Sequence, residues 1–245
     1  MLRSITASLA IALLSPVILS PPVQSFDWSF FRFVPPPPPR TTLPGGRARG
    51  GASRGDCKNM TPSLTALAPS EIASDPGVSN VWGLTISERP TLWFYLPYTG
   101  ESPYQAEFVL QDESGNKLDH VTVPLPKQPG TIGIKVSDKV PPLQVGKTYR
   151  WFFKVYCGAK EKTPIYVEGV VERTRLSSVL EKELEETKPD QKVKFYAENG
   201  LWYDTLTALG QLRQNNSENK EFRNAWTSLL QSAKLQDVAD APIVR

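Results

Sequence analysis

The chain has 245 residues, 40% of them hydrophobic, which supplies apolar material for one large core or two small ones and excludes a chain disordered throughout. Its formal net charge of +3 is concentrated near the N-terminus, where Arg3, Arg32, Arg40, Arg47, Arg49 and Arg54 face only Asp27 and Asp56. Beyond residue 56 acids and bases nearly balance, so the folded part lacks the basic field that nucleic-acid binding requires.

Residues 1–25 read as an export signal: Met-Leu-Arg, an apolar run over 5–19 broken by Pro16, then the small residues Val23-Gln24-Ser25, with cleavage after Ser25. The alternative is a membrane anchor, but the run falls short of the ~20 apolar residues that span a bilayer. Residues 26–56 read as a flexible leader: an aromatic cluster (Phe26, Trp28, Phe30, Phe31, Phe33), five prolines over 35–39, and a Gly/Arg-rich run over 45–55. It is expected to act as a stalk, or as a tail whose arginines touch an anionic surface.

The domain expected over 57–175 is β-rich. Trp82 to Ile86 reads as a first short strand. Pro90 and Pro97 bound a strand with Leu92, Phe94 and Leu96 on one face and Trp93 and Tyr95 on the other, both at least partly covered. Two runs, 106–112 and 118–124, flank Glu113-Ser-Gly-Asn-Lys117 as a hairpin, with Gly115 and Asn116 expected at positive φ. Ile132, Ile134 and Val136 alternate in the next strand. The stretch 141–157 reads as a turn feeding the spine of the fold, with Tyr149, Trp151, Phe153 and Val155 on the core face and Arg150, Phe152, Lys154 and Tyr156 on the other. Ile165, Val167, Gly169 and Val171 mark a last strand.

About seven strands with turn signals every ~10 residues predict an antiparallel sandwich. The spacing Leu143-x-x-Gly146-x-x-Tyr149-x-Trp151-x-Phe153 resembles the corner of immunoglobulin-like and fibronectin-like sandwiches, and the resemblance implies that the Tyr149 hydroxyl bonds back to the preceding turn. Cys57 and Cys157 are the only thiols and are expected to pair in an oxidising compartment, the alternative being two buried free cysteines.

After Arg173 the period changes to near 3.6, and residues 176–245 are expected to form a small helical region packed on the sandwich. Leu176, Val179, Leu180 and Leu184 line a first helix stopped by Pro189. Val193, Phe195 and Tyr196 precede Gly200 in a second. Leu201, Leu206, Leu209 and Leu212 surround Trp202 in a third, and Phe222, Trp226, Leu229 and Leu230 mark a fourth.

The Gly/Arg-rich run before Cys57, Leu64-Thr-Ala-Leu67, the stretch Ser87-Glu-Arg-Pro-Thr-Leu-Trp-Phe-Tyr-Leu-Pro-Tyr98, Glu107-Phe-Val-Leu-Gln-Asp-Glu113, residues 143–157, Val167-Glu-Gly169 and Gly200-Leu-Trp-Tyr-Asp-Thr-Leu206 together resemble a cyanobacterial family described as domain of unknown function 928. The resemblance implies an exported protein and carries no chemistry.

The residues themselves carry no catalytic signature. His120 is the only histidine and reads as a solvated strand position beside Asp119. Glu107, Asp112, Glu168, Glu172 and Asp204 are available for glycosidic chemistry, but no spacing singles out two of them. Two cysteines and one histidine are too few for a soft-ligand zinc site, and the acidic cluster over 181–186 lacks calcium-loop spacing. No cofactor is expected. Trp202, Tyr203 and Asp204 form the candidate ligand-binding site, weighed against a role for their rings in packing the helices on the sandwich. The expected function is a non-catalytic binding or structural module of the cell envelope for glycan or protein, the alternative being a hydrolase using surface carboxylates.

Overall fold

Alternating apolar residues and turn signals build two sheets in the computed structural model, which describes residues 32–36, 45–51, 57, 59–72, 79–100, 104–158 and 163–244. Strands β1 (Thr65–Ala66), β4 (Thr91–Leu96) and β7 (Gly130–Lys135) form a three-stranded antiparallel sheet in that order. Strands β2 (Ser70–Ile72), β3 (Ser79–Thr85), β9 (Ile165–Arg173), β8 (Thr148–Tyr156), β5 (Gln105–Gln111) and β6 (Lys117–Val123) form a six-stranded sheet in that order. The export signal expected over 1–25 lies outside the described residues.

Strand β8 is the spine that its alternation predicts: Tyr149, Trp151, Phe153 and Val155 are buried, while Arg150, Phe152, Lys154 and Tyr156 are half-buried. The sheets face each other across Phe94 of β4, which stacks on Phe153 (ring centroids 4.7 Å apart) and meets Trp151 edge-on at 5.5 Å. Both faces of β4 are covered, since Leu92 through Leu96 are all buried. The Tyr149 hydroxyl accepts from the Gln144 N–H (2.8 Å), tying the spine to its own preceding turn. A disulfide joins Cys57 to the end of β8 at Cys157, with Cα atoms 5.0 Å apart. Strands β5 and β6 form the expected hairpin; Gly115 takes φ +81°, whereas Asn116 stays at negative φ and donates its N–H to the Asp112 carboxylate (2.9 Å).

Two expectations need correction. The six-stranded sheet is mixed rather than antiparallel throughout, because β3 runs parallel to β9. A tight turn forces neighbours to run antiparallel, but β3 and β9 are joined by a long excursion that leaves their relative direction free. The leader, read as flexible because of its glycines and prolines, is docked where it is described. Gly46 bridges to Ser79, Arg47 to Glu168 and Arg49 to Thr65, so this segment spans from one sheet to the other. Phe33 is buried against Trp202 (centroids 4.9 Å apart), and the Val34 N–H donates to the Ala197 carbonyl (3.1 Å). Buried apolar and backbone contacts here outweigh the entropy that the composition alone implies.

Four helices follow β9: α1 (Ser178–Glu186), α2 (Lys192–Glu198), α3 (Trp202–Asn215) and α4 (Lys220–Ser232). Ser177 caps α1 by accepting from the Leu180 N–H, and Asn219 caps α4 by accepting from the N–H groups of Glu221 and Phe222. Helices α2, α3 and α4 bury most of the predicted apolar positions, Tyr196, Leu212 and Phe222 being only half-buried, and α3 crosses β3 and β4. Helix α1 departs from expectation: none of its residues is buried and Val179 is 74% exposed, so its apolar stripe is not packed on the sheets. No helix among the described residues is long and apolar enough to cross a membrane.

Candidate functional site

The predicted site residues open helix α3, immediately after Gly200. Trp202 and Tyr203 are interior groups: both are fully buried, and each spends its polar atom inside the protein. The Trp202 Nε1–H donates to the Leu67 carbonyl (2.8 Å). The Tyr203 hydroxyl donates to the Val170 carbonyl and accepts from Trp151 Nε1–H, both at 3.1 Å, and burial pushes its pKa up. The helix lies so close to β3 that a Cβ at Gly83 would stand 2.9 Å from the Tyr203 ring. Their faces are therefore committed to packing, as are those of Trp93, Tyr95 and Tyr98, which are buried too.

Asp204 points differently. Its Oδ2 accepts from the Ile86 N–H (3.1 Å), with further bonds from the Thr85 side chain and the Ser87 N–H. Burial of the carboxyl raises its pKa from 3.8 to about 6, more than these bonds lower it. It sits at the wall of a cleft of about 350 Å³ formed where the β3–β4 connection, α2 and α3 meet. Ser87, Arg89 and Thr91 come from the connection and β4, Lys192 and Tyr196 from α2. Thr207, Gln211 and Asn215 descend along α3. Burial, and then the charge of Asp204, raise the pKa of the Tyr196 phenol. Arg89 is anchored by Asp138 (3.1 Å) and the Val140 carbonyl (2.7 Å), which holds the connection in place.

Of the residues that line this cleft, the sequence singled out Asp204 and Tyr203 but not the polar residues around them. The signal was present on α3: Asp204, Thr207, Gln211 and Asn215 recur at intervals of three and four, a polar stripe opposite the leucine face. The residues from α2 and the β3–β4 connection are distant in sequence and carried no comparable signal.

The other candidate carboxylates lie elsewhere. Glu107, on β5, is bound by His120 (2.8 Å), Lys154 (3.1 Å) and Tyr156 (2.9 Å). Burial opposes its ionisation, but the three hydrogen bonds and the Lys154 charge prevail and hold its pKa at about 2. His120 is half-exposed on β6, as the hairpin reading implied, though tied to Glu107. Glu168 pairs with Arg150 at 2.6 Å, and Asp112 binds the hairpin turn. Among the described residues no group of three or more His, Cys, Asp or Glu is placed to hold a metal ion.

The chemistry within reach of the cleft is that of hydrogen bonding: hydroxyls, amides, one ammonium, one guanidinium and one carboxyl whose pKa is raised to about 6. No curated protein matches the chain. Residues 49–243 match the sequence model described as Domain of Unknown Function (DUF928), and the chain belongs to that family.

Proposed function

We propose that this is an exported, non-catalytic binding module of the cell envelope whose α3 cleft holds a glycan. The observation that carries the reading is the cleft itself: about 350 Å³, with hydroxyl, amide and carboxyl groups converging from three elements. Such a lining matches the dense hydroxyls of a saccharide. Asp204 accepts, Gln211 and Asn215 both donate and accept, and Lys192 donates. Of the three residues first expected to bind, Asp204 contacts the ligand, while Trp202 and Tyr203 position it by fixing the start of α3.

Export through residues 1–25 is supported by the Cys57–Cys157 bridge, since such bonds persist in oxidising compartments. The facing sheets and the Tyr149 corner support an immunoglobulin-like or fibronectin-like sandwich. Arg47 and Arg49 are held against the body, the first over the Tyr166 ring and the second on Asp237. Any contact of the leader with an anionic surface therefore falls chiefly to its other arginines.

The test combines a glycan array with a pulldown from envelope extract. At micromolar protein a glycan should be retained, and Gln211→Ala and Lys192→Ala should weaken retention about tenfold, the loss of one or two hydrogen bonds, without lowering the melting temperature. Failure to retain any glycan, or retention indifferent to both substitutions, sinks the reading. Turnover of glycoside or ester substrates that a single carboxylate substitution abolishes would instead identify a hydrolase.

A further inference from the structure

The α3 cleft uses most of its acceptors internally and leaves its strongest donors without partners. Ile86, Thr85 and Ser87 already bond the Asp204 carboxyl, whose two oxygens offer about four positions. The Ser87 N–H also donates to the Thr85 hydroxyl oxygen (3.0 Å), the Arg89 N–H to the Ser87 hydroxyl oxygen (3.2 Å) and the Trp93 Nε1–H to the Thr207 hydroxyl oxygen (3.1 Å). The lining residues and their chain neighbours are all among the described residues, so this inventory covers the whole wall.

The cations stand differently. Lys182 and Lys194 each pair with a glutamate four residues on, at 3.9 and 3.6 Å, whereas four residues after Lys192 stands Tyr196 and four before it Lys188. Lys192 is half-buried, and its ammonium enters no ion pair among the described residues. Arg89 gives Nε–H to Asp138 and Nη2–H to the Val140 carbonyl, but its Nη1 is shut off from solvent with no acceptor. An unpaired N–H on a buried charged group is costly, which marks a place where an acceptor belongs. Asp138 offsets the Arg89 charge only in part, being 81% exposed and shared with Lys135 (3.6 Å).

The two helices keep these charges apart from Asp204. Helices α2 and α3 reverse direction across residues 199–201, so the Tyr196 end of α2 lies beside Asp204, and Lys192 falls one turn farther along α3. We propose, on the reading of this cleft as a glycan site, that the sugar it takes is acidic, with its carboxylate or sulfate group against Lys192 and Arg89 and its hydroxyls on Gln211, Asn215 and Asp204. Lys192 donates directly to the anion. Arg89, already fixed by Asp138 and Val140, adds a second positive charge without the entropy of ordering a free side chain. An oxygen of the anion, or a water bound to it, supplies the acceptor that Nη1 lacks. Repulsion by Asp204 keeps the anion from the other end of the cleft and sets the direction in which the sugar lies.

The experiment titrates matched sugars into the full chain by calorimetry: an oligogalacturonate against its methyl ester, and a sulfated oligosaccharide against its desulfated parent. The ester keeps the hydroxyls of the acid and lacks its charge. In at least one pair the anionic member should bind about tenfold or more tightly, as a charge-assisted hydrogen bond exceeds a neutral one, and the pair that shows it tells carboxylate from sulfate. In Lys192→Gln that preference should shrink to within about twofold at an unchanged melting temperature, and in Lys192→Glu the neutral member should bind more tightly. The comparison within each pair on the unaltered chain holds whether or not either variant folds.

Equal binding within both pairs overturns the proposal and leaves the cleft a site for neutral glycan. A preference undiminished in Lys192→Gln, or displacement of the acidic sugar by polyglutamate of equal charge, overturns it too, since charge alone then holds the ligand. Should none of the four sugars bind, the acidic ligand is refuted, and the glycan array alone decides whether the cleft holds a sugar.

Discussion

Replacing Asp204 with asparagine separates the charge of the cleft wall from its shape. The amide has nearly the same volume and can still accept from the Ile86 N–H, but it cannot ionise. Asp204 is held at about 6 in the folded chain against 3.8 for the free group. Between these two values the folded chain keeps a proton that the unfolded chain has lost, so this group's contribution to stability is complete below pH ~4 and falls away as pH rises through about 6. Two pKa units correspond to about 3 kcal/mol. Because the residue is partly exposed at the cleft, solvent screening reduces the expected effect to roughly 1–3 kcal/mol. Urea denaturation of both proteins between about pH 4 and pH 7, followed by tryptophan fluorescence, gives the difference in stability, which should move in favour of Asp204→Asn across that range and then level off. Glu107, held at about 2 against 4.5 for the free group, still titrates in the unfolded chain near the acid end of this window, but it does so in both proteins and cancels from the difference. A difference that stays constant within ~0.5 kcal/mol over the range would refute the burial argument.

Trp202→Ala should destabilise the fold by about 3–5 kcal/mol, read as a lower urea midpoint, because the indole is fully buried and bonded to Leu67; a folded protein of unchanged midpoint would return the ring to the role of ligand platform. Tyr149→Phe should lose about 1–2 kcal/mol by leaving the Gln144 N–H unpaired, with no change in glycan retention. Unreduced, denatured protein should show no thiol reactive to a maleimide; reducing the bridge, which closes a sequence separation of 100, should lower stability by up to about 5 kcal/mol.

The sequence was most legible where one element explains itself. The alternation in β8 requires no knowledge of its neighbours, and Asp112, Gly115 and Asn116 form their turn within five residues. Two helix limits were visible for the same reason, in Pro189 and Gly200, whereas the caps Ser177 and Asn219 were not read. Strand order and direction were not, since alternation says which face is buried and not which strand lies alongside; β3 beside β9 is settled by packing alone. The leader misled because glycine and proline report the entropy of an isolated chain, not the partners that Arg47 and Phe33 find. Helix α1 misled in the opposite sense, with an apolar stripe that no buried contact uses. Of the three residues singled out together, only Asp204 turns its polar group to the cleft wall: the aromatic pair adjoining it in sequence packs inward, and polar groups from α2 and the β3–β4 connection join it there.

The docked segment at residues 46–50 has a kinetic meaning. Arg49 grips Asp237 with both guanidinium arms, at 2.6 and 2.7 Å, across a separation of 188 residues, and residues 242–244 complete the edge of the sheet whose opposite edge Arg49 reaches at Thr65. Contacts so distant along the chain close late, after the loops between them have lost most of their entropy. The two segments then guard each other: a protease that trims residues 235–244 releases the clasp on Arg49, and a second cut near residues 45–51 should follow the first rather than occur independently of it.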